Sequence, residues 1–268
     1  DIHGTTVRNS AGDISGAKTG ELFYDSTNSD FKYKFPNVTS AGAWRTGGNL
    51  NTARKRLASS GNGIQTATIV FGGDTDPPHV AVAESYDGSS WTEVGDLNTA
   101  RDTLAGAGTA TAALAFGGRP PGQLAVTESW NGTSWTEVAD LNTARERLAG
   151  TGTTTSALAD GGVITTNSAL VESWNGTSWT ETTDLNLARN TLGNAGADNT
   201  SVLAFGGNVD GAGGGRKAET ESWNGTSWTE TTNLNTARAE ISGSGIAANA
   251  LAAGGDNGTT QVALTEQW

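Results

Sequence analysis

The sequence of 268 residues has no cysteine and only two histidines, His3 and His79. The absence of cysteine excludes disulfide bonds, and with them any indication of the redox compartment in which the protein folds. Two histidines far apart in the sequence argue against a histidine-ligated metal site or a Ser-His-Asp triad. We therefore expect no metal ion, no cofactor and no catalytic residues.

Positive charge and long apolar runs are also scarce. The chain has 16 Lys and Arg against 28 Asp and Glu, a formal net charge of −12. An acidic chain without clustered cations is unsuited to a phosphate backbone, because counterion release requires Lys and Arg. There is no apolar run long enough to cross a bilayer. We therefore expect no nucleic-acid partner and no membrane insertion.

A five-residue motif ending in arginine recurs along the chain. It reads Leu-Asn-Thr-Ala-Arg from Leu50, Leu97, Leu141 and Leu234, and Leu-Asn-Leu-Ala-Arg from Leu185. Successive arginines are 47, 44, 44 and 49 residues apart. A period of this size, with strand-like segments between the copies, is typical of propellers and solenoids. Because an arginine recurs in every unit, we expect it to anchor a loop by hydrogen bonds to carbonyls or to the repeated acids.

Two further landmarks follow the arginine in each unit, a Gly-Gly doublet and a segment that begins with glutamate. The doublets begin at Gly72, Gly117, Gly161, Gly206 and Gly254, and the segments begin at Glu84, Glu128, Glu172 and Glu221. From each of these glutamates to the next arginine is 17 residues, whereas the stretch from doublet to glutamate varies from 10 to 14. Constant spacing indicates a hydrogen-bonded framework, and variable spacing indicates an exposed loop.

The unit that follows Arg101 contains four short strand-like segments. The second ends at the Gly-Gly doublet, the third ends at Trp130, and the fourth contains Trp135. The Asn131-Gly132 pair between the last two favours a two-residue type I′ hairpin turn. That turn places Trp130 opposite Thr133, with Trp135 as its diagonal neighbour on the same face. Because the tryptophans recur, we expect them to pack within the blades; stacking on a sugar or cofactor is the alternative.

The two ends of the chain divide one unit between them. The last residues, Ala263–Trp268, align with Ala125–Trp130, so the fifth unit stops before its Asn-Gly turn. The segment Gly42–Thr46 aligns with the fourth segment around Trp135. A closed ring accounts for this division, because the shared blade leaves no exposed sheet edge. We therefore predict an all-β protein: a five-bladed β-propeller of four-stranded blades over residues 41–268, closed by an N-terminal strand.

The order of arginine, Gly-Gly doublet and aromatic residues resembles the kelch repeat over about residues 41–268. The resemblance implies a propeller blade in each unit, but no partner site, because kelch propellers usually have more than five blades. The absence of cysteine excludes the copper-and-cysteine chemistry of kelch-fold oxidases. The short form with Asn-Thr-Ala-Arg and Trp-Asn-Gly-Thr-Ser-Trp also resembles repeat proteins of marine bacteriophages, which implies a location on a virion or an extracellular surface.

Residues 1–40 differ from the repeats and form an N-terminal extension. Two aromatic segments, Gly20–Tyr24 and Phe31–Phe35, predict a β-hairpin that needs a packing partner. The pattern resembles hairpins in phage tail-fibre and related virion proteins. The N-terminal extension is interpreted in one of two ways. It is either a strap packed against the propeller rim, or an arm that attaches the chain to other virion proteins or to further copies of itself. The chain begins at Asp1 with neither methionine nor an apolar signal segment, so residue 1 is a processed terminus or a fragment start.

The loops after the Gly-Gly doublets differ between units in length and in sequence. In a ring, equivalent loops lie on one face above a rigid scaffold, which makes them the candidate ligand-binding site. The candidate residues are Asp74, Asp76, His79, Arg119, Gln123, Asn167, Asp210, Arg216, Lys217, Asp256 and Asn257. The alternatives are that these loops are unconstrained connections, or that the acids of the first or last loop hold calcium.

These features favour a non-enzymatic binding module on a virion or cell surface, contacting a host glycan or protein through the loop face. No pair of carboxylates is singled out for glycoside hydrolysis, because Glu128, Glu172 and Glu221 recur in the units and are expected to belong to the framework. Two alternatives stay open: a purely structural capsid decoration or fibre component, and a carbohydrate-active enzyme.

Overall fold

The computed structural model describes residues 8–10, 22–25, 30–33, 46–210 and 215–268. The chain divides into two compact units, Asp1–Thr46 and Gly47–Trp268. Every regular element in the described ranges is a β-strand. Accordingly, no helix within those ranges is long and apolar enough to cross a membrane.

The first unit contains a small sheet of three strands. They are β1 (Arg8–Ser10), β2 (Leu22–Asp25) and β3 (Asp30–Tyr33). Strands β2 and β3 are antiparallel, with Leu22 opposite Tyr33, and they form the predicted hairpin. Strand β1 pairs in parallel with β2 and was not predicted from the sequence.

The second unit is a five-bladed β-propeller, as predicted. Blade 1 comprises β4 (Ala58–Ser59), β5 (Thr68–Phe71), β6 (Ala83–Tyr86) and β7 (Trp91–Glu93). Blade 2 comprises β8 (Ala105–Thr109), β9 (Ala112–Phe116), β10 (Thr127–Trp130) and β11 (Trp135–Glu137), and blade 3 comprises β12 (Ala149–Thr153), β13 (Ser156–Asp160), β14 (Val171–Trp174) and β15 (Trp179–Glu181). Blade 4 comprises β16 (Gly193–Asp198), β17 (Ser201–Phe205), β18 (Thr220–Trp223) and β19 (Trp228–Glu230), and blade 5 contains β20 (Ser242–Ile246), β21 (Asn249–Ala253) and β22 (Thr265–Gln267). Within each blade the strands pair antiparallel in chain order.

Blade 5 has three strands among the described residues. The predicted fourth strand falls on residues 42–46, of which 42–45 lie outside the described ranges, so the closing strand stays a prediction. The third strand of this blade is more exposed than its counterparts, and the residues that flank it, Leu264 and Trp268, are exposed by 41% and 45%.

The paired tryptophans lie in a register different from the predicted one. Trp130 is directly opposite Trp135, with ring centroids 5.4 Å apart, so the turn contains four residues rather than two. The reason is the side chain of Asn131, whose Oδ1 accepts the N–H groups of Thr133 and Ser134 at 2.9 Å each. This Asx turn satisfies the N–H groups of Thr133 and Ser134, which in a two-residue turn would belong to the following strand.

A buried Arg–Glu pair fixes the entry to each blade, which confirms the anchoring prediction. In blade 3, Arg145 Nη2 lies 2.9 Å from Glu172 Oε1, and both side chains are almost fully buried. The other Oε atom of Glu172 accepts the backbone N–H of Asn142 at 2.6 Å. The equivalent pairs are Arg54–Glu84, Arg101–Glu128, Arg189–Glu221 and Arg238–Glu266. The two repeated motifs are therefore two halves of one contact.

Neighbouring blades pack through aromatic pairs and through inner strands of small residues. The ring of Phe71 in blade 1 lies 4.8 Å from that of Trp135 in blade 2, and Phe116 in blade 2 lies 4.9 Å from Trp179 in blade 3. The inner strands are rich in glycine and alanine, which allows close backbone approach around the axis.

Candidate functional site

The residue two positions after each repeated arginine lines one end of the propeller axis. These residues are Arg56, Thr103, Arg147, Thr191 and Glu240, which we call the axial ring. All five have positive φ, between 49° and 58°. Around the ring, each described N–H from Thr103 to Glu240 donates to the carbonyl of the preceding member at 2.8–3.0 Å. This left-handed conformation, which is costly for non-glycine residues, is held by blade-to-blade hydrogen bonds.

A funnel of about 530 Å³ opens at the axial ring. Below the ring, one branched apolar side chain from each blade contributes to its wall: Leu57, Leu104, Leu148, Leu192 and Ile241. A concave site that combines apolar side chains with a few polar groups is the usual form of a ligand pocket.

Most of the charged residues at the mouth of the funnel are cations, two of which are paired with nearby acids. Lys55, Arg56 and Arg147 line it, against the single acid Glu240. The guanidinium of Arg56 lies 3.5 Å from Asp74. Within the described residues, the side chain of Arg147 forms no ion pair or hydrogen bond, although it is partly buried. Arg147 is therefore the cation of the funnel most available to a ligand.

The variable loops surround the mouth of the funnel. The first residue of each loop forms an isolated β-bridge with the residue that precedes the axial ring member of its own blade. The five bridges are Lys55 with Asp74, Asp102 with Arg119, Glu146 with Val163, Asn190 with Asn208, and Ala239 with Asp256. The loops and the funnel together form one surface, which we call the axial face.

Many loop side chains predicted to bind a ligand contact the next blade. Arg119 Nε lies 3.1 Å from Asp102 and 3.2 Å from Glu146 of blade 3. The Asn167 Oδ1 accepts the side-chain amide of Asn190 at 2.6 Å, and its own amide donates to the Asn208 carbonyl at 3.2 Å.

The last two loops are joined in the same way. Arg216 of blade 4 lies 3.3 Å from Asp256 of blade 5. The N–H of Gly258 and, to a smaller extent, Arg216 hold the pKa of Asp256 below its usual range. Asn257 Oδ1 accepts two backbone N–H groups of its own turn, at Thr259 and Thr260. These contacts make the rim of the axial face a set of interlocked loops.

The remaining predicted residues are more exposed or have local partners. Asp76 is paired with Lys55 at 2.9 Å, and its hydrogen bond from Lys55 lowers the pKa of the carboxyl. Lys217 lies 3.7 Å from Glu219 within its own loop. Asp210 Oδ1 accepts the N–H of Gly215 at 3.0 Å. Gln123 is half-buried in the loop of blade 2. His79 belongs to a cluster at the junction of blades 1 and 2.

Sequence reasoning missed the axial ring, although a signal was present. The position two residues after the repeated arginine is Arg56, Thr103, Arg147, Thr191 or Glu240, while the next position is always leucine or isoleucine. A position that varies within a constant stretch of framework is a sign of a surface that the fold itself does not dictate.

Comparison with known proteins supports the fold. No protein-family model matches the chain, and no curated protein does. Among solved structures the chain is similar to the β-propeller reported as "Structure of YjhT", with a TM-score of 0.65 and 10% sequence identity. The similarity covers 78% of this chain and 75% of that one. At this identity the likeness concerns the fold alone.

Proposed function

We propose that this protein is a non-enzymatic binding module, displayed on a virion or cell surface, that contacts a host glycan or protein through the axial face. The observation that carries the proposal is the division of the propeller into a repeated, buried framework and one variable surface. The Arg–Glu pairs recur in the five blades, whereas the ring and loop residues differ from blade to blade. A rigid scaffold that presents variable loops is a common arrangement for recognition.

The repeated acids support a binding role over hydrolysis. Glu128 and Glu172 are buried, and each is paired with its arginine and accepts backbone N–H groups. A carboxylate held in this way is poorly placed to exchange protons with a substrate. The resemblance of the repeats to phage proteins supports the virion location, with the N-terminal extension as the attachment to other virion proteins or to further copies of the chain.

The proposal is tested by binding assays with variants of the axial face. We expect wild-type protein to bind a subset of a glycan array or a host-cell surface, and Arg147→Gln to weaken that binding at least tenfold. The matched control is Thr177→Ala, an exposed residue in the turn at the other end of blade 3. Both variants should unfold at the wild-type temperature.

The outcomes separate the alternatives. Binding that is lost in Arg147→Gln and kept in Thr177→Ala supports recognition through the axial face. Absence of binding, together with the protein in an ordered array on the particle by electron microscopy, favours a purely structural decoration. Chemical turnover of a bound glycan would instead favour a carbohydrate-active enzyme.

A further inference from the structure

A cluster of potential metal ligands lies at the junction of blades 1 and 2. It contains Asp74 and His79 from the variable loop of blade 1, and Asp102 from the entry to blade 2. One ligand atom from each side chain lies within 4.8 Å of the other two. The Nδ1 atom of His79 lies 3.4 Å from Oδ2 of Asp102. It is the one place in the described part of the chain where His and acidic side chains converge in this way.

Two atoms of the cluster are buried without a hydrogen-bond partner. Asp102 is fully buried, and its Oδ2 accepts no hydrogen bond. The Nδ1 atom of His79 is also buried and unpartnered. The other oxygen of Asp102 is engaged by Arg119 at 3.1 Å. Buried polar atoms in native proteins are nearly always satisfied, and two that lie 3.4 Å apart are suited to sharing one partner that both can bind.

We propose that Asp74, His79 and Asp102 bind one divalent transition-metal ion of the zinc class, which joins the first two blades. Zinc takes nitrogen and carboxylate ligands at about 2.0–2.2 Å, which places neighbouring ligand atoms of a tetrahedral site about 3.4 Å apart. The His79–Asp102 separation already has this value. Asp74 supplies the third ligand, since its ligand atom lies within 4.8 Å of the other two, and water or an external ligand takes the fourth position.

Arg56 is the competitor for this position. Its Nη1 atom lies 3.5 Å from Asp74 and 3.7 Å from Asp102, so it neutralises the two carboxylates that the metal would use. The Arg56 side chain is 42% exposed and lines the funnel, so it can swing away from the cluster. Metal binding therefore releases a second guanidinium into the mouth of the funnel, beside Arg147.

The proposal is tested by titrating the full chain, without a polyhistidine tag, with Zn²⁺ in a calorimeter. We expect one saturable site, and a loss of affinity of at least tenfold in His79→Gln. The same loss is expected in Asp102→Asn, whose fold is checked by circular dichroism. Because Arg56 competes with the ion, Arg56→Gln should bind Zn²⁺ more tightly than wild type.

Two variants control for adventitious sites. His3→Gln removes the other histidine of the chain, and Asp76→Asn removes an exposed carboxylate next to the cluster. Both should keep wild-type affinity. A chain that binds no Zn²⁺, that binds it equally after His79→Gln, or that loses it after His3→Gln overturns the proposal.

Discussion

The side-chain amide of Asn194 donates a 3.0 Å hydrogen bond to Asp160 across the junction of blades 3 and 4. At the equivalent junction one blade earlier, Phe116 occupies the position of Asp160 and Gly150 that of Asn194. A Cβ atom built on Gly150 would lie 2.5 Å from Phe116 Cζ, so the aromatic ring requires the glycine. Asp160 and Asn194 thus differ together from the preceding junction: two side chains that hydrogen bond stand where a large and a small one stand there.

The two residues should be energetically coupled. Asp160→Phe puts an aromatic ring against the Asn194 side chain, and we expect it to lower the free energy of unfolding by about 1–3 kcal/mol through overpacking. Asn194→Gly removes the donor to a buried carboxyl and should cost about 1–3 kcal/mol. The double variant restores the Phe–Gly pair and should be more stable than the sum of the single variants by about 1 kcal/mol or more. Urea denaturation of the four proteins measures this.

A second double-mutant cycle serves as the control. Thr177→Ala, in the exposed turn of blade 3, combined with Asn194→Gly should be additive within about 0.5 kcal/mol, because the two sites share no partner. Additive effects for Asp160 and Asn194 would show that the exchange of both residues is unrelated to their contact.

Asp160 should also make stability depend on pH. Burial raises the pKa of Asp160 to about 6, and the hydrogen bond from Asn194 only partly offsets this. In the unfolded chain the carboxyl has its ordinary pKa of 3.8. The folded state therefore holds the proton more tightly, so this contribution to stability is complete below about pH 4 and is lost as the pH rises through about 6. The loss amounts to about 3 kcal/mol.

The effect is isolated by comparison with Asp160→Asn, which keeps a polar side chain beside Asn194 but does not titrate. The thermal unfolding temperature of wild type minus that of Asp160→Asn should fall between pH 4 and pH 7. Other carboxyls, such as Glu266 with its lowered pKa, contribute equally to both proteins and cancel. A difference that is flat over this range would mean that Asp160 titrates normally.

The repeats made the architecture predictable from the sequence. Constant spacing between Glu172 and Arg189 indicated a framework, and in the structure both residues belong to buried Arg–Glu pairs, Glu172 with Arg145 and Arg189 with Glu221. The division of a unit between the chain ends predicted a ring of five blades. These features follow from local periodicity, which a single sequence displays directly.

The details that were not predicted depend on side chains that hydrogen bond to the backbone or contact a neighbouring blade. The register of Trp130 was wrong because Asn131 accepts two N–H groups and enlarges the turn. Among the candidate residues, Arg119 and Arg216 bind the following blade, and a single repeat does not reveal that contact. The axial ring was not predicted because its members share a backbone conformation, with positive φ, rather than a residue type.

Breaking one Arg–Glu pair should be costly, because both partners are buried. Glu172→Gln removes the charge that compensates Arg145 and weakens the acceptor of the Asn142 N–H. We expect a loss of about 3–5 kcal/mol in the free energy of unfolding. The control is Glu181→Gln, on the neighbouring strand directly opposite Glu172 but exposed, which should change stability by less than about 0.5 kcal/mol. Equal effects at the two positions would contradict the framework role of the pair.

The close approach of blades 2 and 3 should not tolerate a single added methyl group. Gly150→Ala would place Cβ 2.5 Å from Phe116 Cζ and 2.9 Å from Ala105 Cβ, so we expect a loss of about 1–3 kcal/mol in denaturant unfolding. The matched control, Gly122→Ala, meets no atom within 4 Å and should be nearly neutral. Phe116→Leu in the Gly150→Ala background shortens the opposing side chain and should cost less than it does in wild type. If Phe116→Leu costs more in the Gly150→Ala background than in wild type, the strain does not arise from contact with the Phe116 ring.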